Sequence, residues 1–250
     1  MPGTMATAAT VSERAFYAIH RLVLAVESGR GGRDDDDGDD DQDAFTAAVA
    51  ALLQLLADAD PHLVRAAATA IGAIGPLDGA ERTDDVIDAL RRCAAAAKDA
   101  ETCAACIVAI GDYGPAAESA VGPLTVLLRD KAALVREAAA AALAAIGPEA
   151  RAATGVLATL LRGDEPLVRA AAAAALAGIG PDARDAVMAL SDAVADANPL
   201  VRGTAVRAIA AIGPDAAAAK KALDALVHDE DANVADVAKT VTAQPTRGAK

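Results

Sequence analysis

Aromatic side chains are almost missing from this 250-residue chain: two tyrosines, two phenylalanines and no tryptophan make up 2% of it. Aromatics bring the largest apolar area per residue, so any core must be built from smaller groups set close together. Lysine is scarce as well, with six residues. The longest wholly apolar run, Ala170–Pro181, falls short of the roughly 20 residues a helix needs to cross a bilayer. The amino-terminal stretch lacks the basic-then-apolar pattern of a secretory signal, and the expectation is a cytoplasmic protein with no membrane insertion. Cys93, Cys103 and Cys106 are the three cysteines, too few for the disulfide framework of a small secreted domain.

What is plentiful is small and apolar. The apolar fraction is 54%, most of it alanine, the best helix former and the smallest side chain with a Cβ. That composition suits close-packed helices better than strands or an open ligand cavity. The net charge is -13 and the isoelectric point about 4.6. Residues 43–250 alone hold 27 acidic against 19 basic groups, so attraction to a phosphate backbone or an anionic membrane surface is disfavoured.

Internal repetition is the strongest signal. LVREAAAAALAAIGP at 134–148, LVRAAAAAALAGIGP at 167–181 and LVRGTAVRAIAAIGP at 200–214 repeat with a period of 33 residues. Gly147, Gly180 and Gly213 keep this spacing and Gly114 extends it one unit earlier, whereas Gly75 lies 39 residues before Gly114, which places an insertion near Pro76–Arg82. Each unit holds two helical stretches, A and B. Helix B ends at the Ile-Gly-Pro signature, where glycine can take a left-handed geometry and proline can open the next helix. Between A and B lies an acidic or Asn/Pro break, which predicts capping of helix B.

The resulting helical hairpins pair 43–58 with 61–74, 83–97 with 99–112, 115–129 with 131–146, 148–162 with 165–179, 181–195 with 198–212, and 215–228 with 231–243. Residues 1–28 read as a tail and an amphipathic capping helix over 11–27, residues 29–42 as a disordered acidic loop, 43–243 as the repeat domain and 244–250 as a disordered tail. One hairpin cannot bury both its apolar faces, so neighbours must stack. Gly72, Gly178 and Gly203 inside helices predict close helix approach at those points.

This ordered recurrence of Asp/Asn break, Val-Arg, alanine-rich helix and Ile-Gly-Pro resembles the short bacterial and archaeal HEAT repeats, including those of phycobilisome-lyase-related proteins. The aspartate-rich, lysine-poor composition also resembles proteins of salt-adapted archaea. The resemblance covers roughly 43–243 and implies an all-α fold, a right-handed alpha-alpha superhelix of HEAT-like hairpins with B helices lining the concave side. It implies a non-catalytic adaptor for another protein, in a signalling or assembly complex. The alternatives it carries are a bilin-lyase-like accessory factor and a nucleic-acid-binding HEAT protein.

The family's repeated arginine maps to Arg65, Arg136, Arg169 and Arg202, with Cys103 and Ala235 filling the same slot in the other two units. The expected role is structural, bridging neighbouring units through a carboxylate or open carbonyls. The loss at Ala235 fits a terminal repeat. Partner contact is expected around Thr69, Glu137, Thr204 and Arg207. Arg207 is the most telling of these, because its equivalents are Ala174 and Ala141.

Chemistry-bearing motifs are weak. Cys103 and Cys106 form a C-x-x-C spacing, but a structural zinc site needs four ligands and a catalytic one three, and His20, His62 and His228 are scattered. Reduced thiols filling the second hairpin are the favoured reading, with redox sensing or disulfide formation, or metal or chromophore attachment, as alternatives. Asp84, Asp85 and Asp88 sit at a predicted helix start, and the Asp34–Asp41 run lacks the order of a calcium loop. Phosphate-loop, dinucleotide, zinc-protease and nucleophile-elbow motifs do not occur. No cofactor is expected, and no enzyme.

Overall fold

The computed structural model describes residues 38–77, 80–213 and 220–243. The expected capping helix over 11–27 and both tails lie outside them. The described residues form helices and turns with no strand among them, and they divide into two compact units between Asp112 and Tyr113.

The first unit contains α1 (Gly38–Leu55), α2 (Pro61–Ile74), α3 (Ala80–Ala96) and α4 (Ala100–Gly111). The start of α1 corrects the expectation of a disordered loop through residue 42, because the helix already includes the second half of the acidic run. Carboxylates are favoured at the amino end of a helix, so an Asp run there need not break it. Helices α2 and α4 start at capping aspartates: Asp60 accepts from the His62 N–H and Asp99 from the Thr102 N–H. The B helices α2 and α4 pack on each other, and α3 packs on α4. Leu52, Ile71, Ile87, Leu90, Ile107 and Ile110 form the fully buried large side chains of this unit.

In the second unit each of three A segments is broken in two. A 3-10 segment, Gly114–Ala120, Gly147–Ala153 or Gly180–Ala186, leads into a short α-helix: α5 (Val121–Leu127), α7 (Thr154–Leu160) or α9 (Val187–Ala193). The sequence pattern predicted one continuous helix at each place. The 3-10 winding of three residues per turn brings positions i and i+3 into line. Each segment uses that alignment to bury an alanine pair completely: Ala117 and Ala120, Ala150 and Ala153, Ala183 and Ala186 are all 0% exposed. The proline at the start of each segment removes an amide that would otherwise need a partner.

The B helices α6 (Ala133–Ile146), α8 (Pro166–Ile179), α10 (Pro199–Ile212) and α12 (Ala232–Ala243) pack in sequence order, and α11 (Lys220–Leu226) pairs with α12. Alanines permit this approach: Ala139, Ala140, Ala172, Ala173 and Ala205 are fully buried. At Gly178 even a methyl group would collide with the Ala144 carbonyl of the preceding B helix. Gly203 is different, since a Cβ there would lie an ordinary 3.8 Å from Val234 Cγ2, and the expected close approach at that glycine is corrected. Gly147, Gly180 and Gly213 end their helices at φ of 81°, 69° and 100°, a region that penalises a Cβ.

Candidate functional site

The arginines at the start of the B helices are drawn inward. Arg169 Nη1 donates to the carbonyls of Gly163 and Asp164, both at 2.9 Å, while Nε and Nη2 grip the Asp196 carboxylate at 2.7 and 2.9 Å. Arg202 repeats the arrangement one unit later: Nη1 donates to the carbonyls of Asp196 and Ala197 at 3.0 and 3.3 Å, and Nε and Nη2 hold Asp229 at 2.8 and 2.7 Å. Each guanidinium thus closes the A–B turn of its own hairpin and clamps the next turn along. The two-pronged geometry requires the planar fork of arginine and is unavailable to lysine.

Arg136 departs from the pattern in one respect. It reaches the carbonyls of Asp130 and Lys131 at 2.6 and 3.1 Å, but its carboxylate is Glu165, 2.8 Å away, because glycine stands at position 163 where the next two units have Asp196 and Asp229. Arg65 in the first unit is looser, with Thr102 Oγ1 at 3.3 Å and the carboxylates of Asp99 and Glu101 each 3.7 Å away. Side-chain exposure follows the same order, from 25% at Arg65 through 14% at Arg136 and Arg169 to 8% at Arg202.

Asp196 and Asp229 have a second task. Each accepts the backbone N–H two residues on, from Asn198 at 2.8 Å and Asp231 at 2.9 Å, and so shapes the turn that presents it. Hydrogen bonds from Arg169 and Arg202 hold the two carboxyls below the usual aspartate range, against the opposing effect of burial. A hydrogen bond from Arg136 does the same for Glu165. Sequence reasoning assigned the acidic breaks to helix capping, yet Ala132 and Glu165 precede α6 and α8 without a side-chain cap. The signal that identifies the true role is spacing: Asp196 and Asp229 each lie 27 residues after the arginine they bind.

The four residues expected at a partner surface differ in exposure. Thr204 is buried, with its hydroxyl donating to the carbonyls of Leu200 and Val201 at 2.8 and 3.0 Å. Its expected exposure is corrected: one helical turn sets it in line with buried Val201 and Ala208. Glu137 is half-buried, whereas Thr69 and Arg207 are exposed. Thr69 donates its hydroxyl to the Arg65 carbonyl at 3.0 Å. Arg207 lies on the outward strip of α10, seven residues from Leu200 and four from Ala211, both exposed.

That strip recurs on every central B helix of the second unit, and the sequence reading did not single it out. Leu134, Leu167 and Leu200 are 45%, 55% and 47% exposed at the 33-residue pitch. Beside this row lie Ala141, Ala174 and Arg207, then Ala145, Gly178 and Ala211, all exposed. The result is an apolar ridge next to a low floor of small residues, with Arg207 its charged member.

The cysteines depart from expectation. Cys93 of α3 and Cys106 of α4 are joined in a disulfide, with their Cα atoms 6.4 Å apart, so the reading of three reduced thiols is corrected. The antiparallel hairpin brings the two positions face to face, inside the Cα separation that a disulfide spans. Cys103 stays outside the bridge and is buried. Among the described residues no group of three or more His, Cys, Asp or Glu side chains is placed to hold a metal ion, and no helix is long and apolar enough to cross a membrane.

Comparison with known proteins agrees with this geometry. The HEAT-repeat family matches twice, over residues 87–177 and 153–241. An engineered protein of known crystal structure is 26% identical, with a TM-score of 0.61 over 77% of this chain and 94% of that one. The archaeal HEAT-like repeats protein from Thermococcus onnurineus NA1 is 15% identical, with a TM-score of 0.61 over 94% of this chain and 95% of its own. The karyopherin Kap121p, in its complex with the extreme C-terminus of the protein phosphatase Cdc14p, is 16% identical with a TM-score of 0.62. There, 92% of this chain matches 29% of the karyopherin. No curated protein matches. With the family pattern running through more than half of its length and hairpins of the expected kind in both units, the chain belongs to the HEAT-repeat family.

Proposed function

We propose that the chain is a non-catalytic scaffold that holds another protein on the B-helix face of its second unit. One observation carries the reading: Leu134, Leu167 and Leu200 stand half-exposed in a row while the arginines two residues further along each helix are turned inward. Leucines that served only the stack would be covered by it. An exposed apolar patch of this kind gains stability when a partner removes it from water, by roughly 1 kcal/mol for each half-buried leucine.

In this reading Arg207 supplies orientation and rate of encounter, as a charge beside an apolar contact does, and Glu137 is a secondary contact. Arg65, Arg136, Arg169 and Arg202 maintain the stack. The fold supports such use, since a HEAT-like neighbour has been solved with the terminus of another protein bound to it. The partner is a protein rather than a nucleic acid, because the exposed row of Leu134, Leu167 and Leu200 is apolar and the chain is acidic.

The experiment is cross-linking capture from native cell extract at physiological salt, followed by affinity measurement with the enriched protein. Leu167→Asp and Arg207→Glu should each weaken binding about tenfold or more with unchanged helicity and melting. Unchanged affinity in both, with binding lost instead in normally folded Arg136→Ala and Arg169→Ala proteins, would place recognition on the ladder and overturn the assignment.

A further inference from the structure

All three cysteines of the chain fall in the α3–α4 hairpin, and this same hairpin lacks the ladder arginine, because Cys103 stands in its slot. Where α8 and α10 hold their turns through a guanidinium, α3 and α4 are held by the Cys93–Cys106 bridge, which spans 13 residues. The cysteines are unequally buried: Cys93 keeps 7% exposure and Cys103 8%, and Cys106 has none.

We propose that this hairpin is an oxidation-controlled clasp in which Cys93 and Cys106 pass between two thiols and one disulfide, with hydrogen peroxide as oxidant and a dithiol as reductant. Cys93 is the less buried of the pair, with 7% exposure against none, so its thiolate attacks the peroxide. The sulfur bonds to one oxygen, the O–O bond breaks, and the departing hydroxide takes up the proton that the thiol released and leaves as water. Cys93 is then a sulfenic acid. The Cys106 sulfur attacks it, an S–S bond forms as the S–O bond breaks, and the Cys106 proton leaves with the oxygen as a second water. A dithiol reverses the change by thiol exchange, ending as its own cyclic disulfide. Cys103 stays a thiol throughout.

The clasp stands in for a tie that other hairpins hold permanently. Closing a short loop restricts the opened hairpin more than the closed one, so oxidation should slow local opening of α3 and α4 by on the order of tenfold to a hundredfold. The hairpins tied by Arg169 and Arg202 contain no cysteine and should be indifferent.

The test uses the full chain, reduced with dithiothreitol, desalted and titrated with hydrogen peroxide. Denaturing alkylation and peptide mass spectrometry should then show loss of two thiols and a link between Cys93 and Cys106, reversed by fresh dithiothreitol and unchanged in Cys103→Ser. Cys106→Ser should stop at the first step, leaving Cys93 open to dimedone. Amide exchange over residues 86–110 should be at least tenfold slower in the oxidised protein, with α8 and α10 unaffected. The proposal is overturned if peroxide leaves all three thiols, if the link runs through Cys103, or if exchange in the hairpin is the same in both states.

Discussion

Asp229 and its guanidinium partner Arg202 are 7% and 8% exposed at their side chains, so removing either leaves a buried charge unanswered. Arg202→Ala should therefore destabilise by about 3 kcal/mol. Arg169→Ala should follow closely and Arg136→Ala should cost less, because Glu165 is 46% exposed and can return to water. Arg65→Ala should cost under about 1 kcal/mol, its ionic contacts being long and solvated. Urea unfolding of the four variants measures this ranking, and an Arg65 variant as damaging as the Arg202 variant would refute it. Acid probes the same pairs. Asp196 and Asp229 are held below the ordinary aspartate value in the fold, so their contribution is complete above about pH 4 and lost as pH falls through the lowered values. Wild-type midpoints should drop steeply between about pH 4 and pH 2. Asp229→Asn should start less stable and drop less over that range. A parallel decline in both proteins would mean that other carboxylates govern acid unfolding.

Helix contacts are read best at the glycines. Gly178→Ala must push α8 away from the Ala144 carbonyl and should destabilise by about 2 kcal/mol. Gly203→Ala meets only ordinary contact with Val234, and should be neutral or gain up to about 1 kcal/mol from helix propensity. Thermal melts of the two variants decide the matter, and a Gly203 variant that melts well below wild type would contradict the contact geometry. The sequence separates these glycines poorly, because both sit inside alanine-rich helices and differ only in what the neighbouring helix presents. It reveals the B helices well, since Ile-Gly-Pro marks their ends and Val-Arg their beginnings. It conceals the 3-10 segments: Ala150 and Ala153 fit an α-helix by propensity, and only burial of both in one line selects the tighter winding. The sequence offers a disulfide only as a lesser alternative and does not single out Cys93–Cys106, because a C-x-x-C spacing draws attention to Cys103 instead. The half-exposed leucines pass in sequence for core residues, and the fold alone leaves them outside.

At the scale of the molecule, stability is shared along neighbouring hairpins rather than gathered at one centre. Truncation after Gly213 would remove α12, which packs on α10 and sets Val234 against Gly203, and strip Arg202 of Asp229. The shortened protein should lose more stability than its missing length suggests and unfold from α10, with amide exchange fastest there; uniform loosening across α6, α8 and α10 would contradict the nearest-neighbour picture. The spacing of the ladder bears also on how such a chain can change by descent. Because each clamped aspartate follows its arginine by 27 residues within a 33-residue repeat, excision of residues 167–199 would join Pro166 to Leu200 and leave Arg202 with Asp229 ahead of it and the carbonyls of Gly163 and Asp164 behind. Loss of one residue more or fewer would turn that helix by about 100° and leave the arginine facing neither. A chain built on this ladder can therefore gain or shed whole repeats with its clamps intact, while smaller insertions at the same place break them.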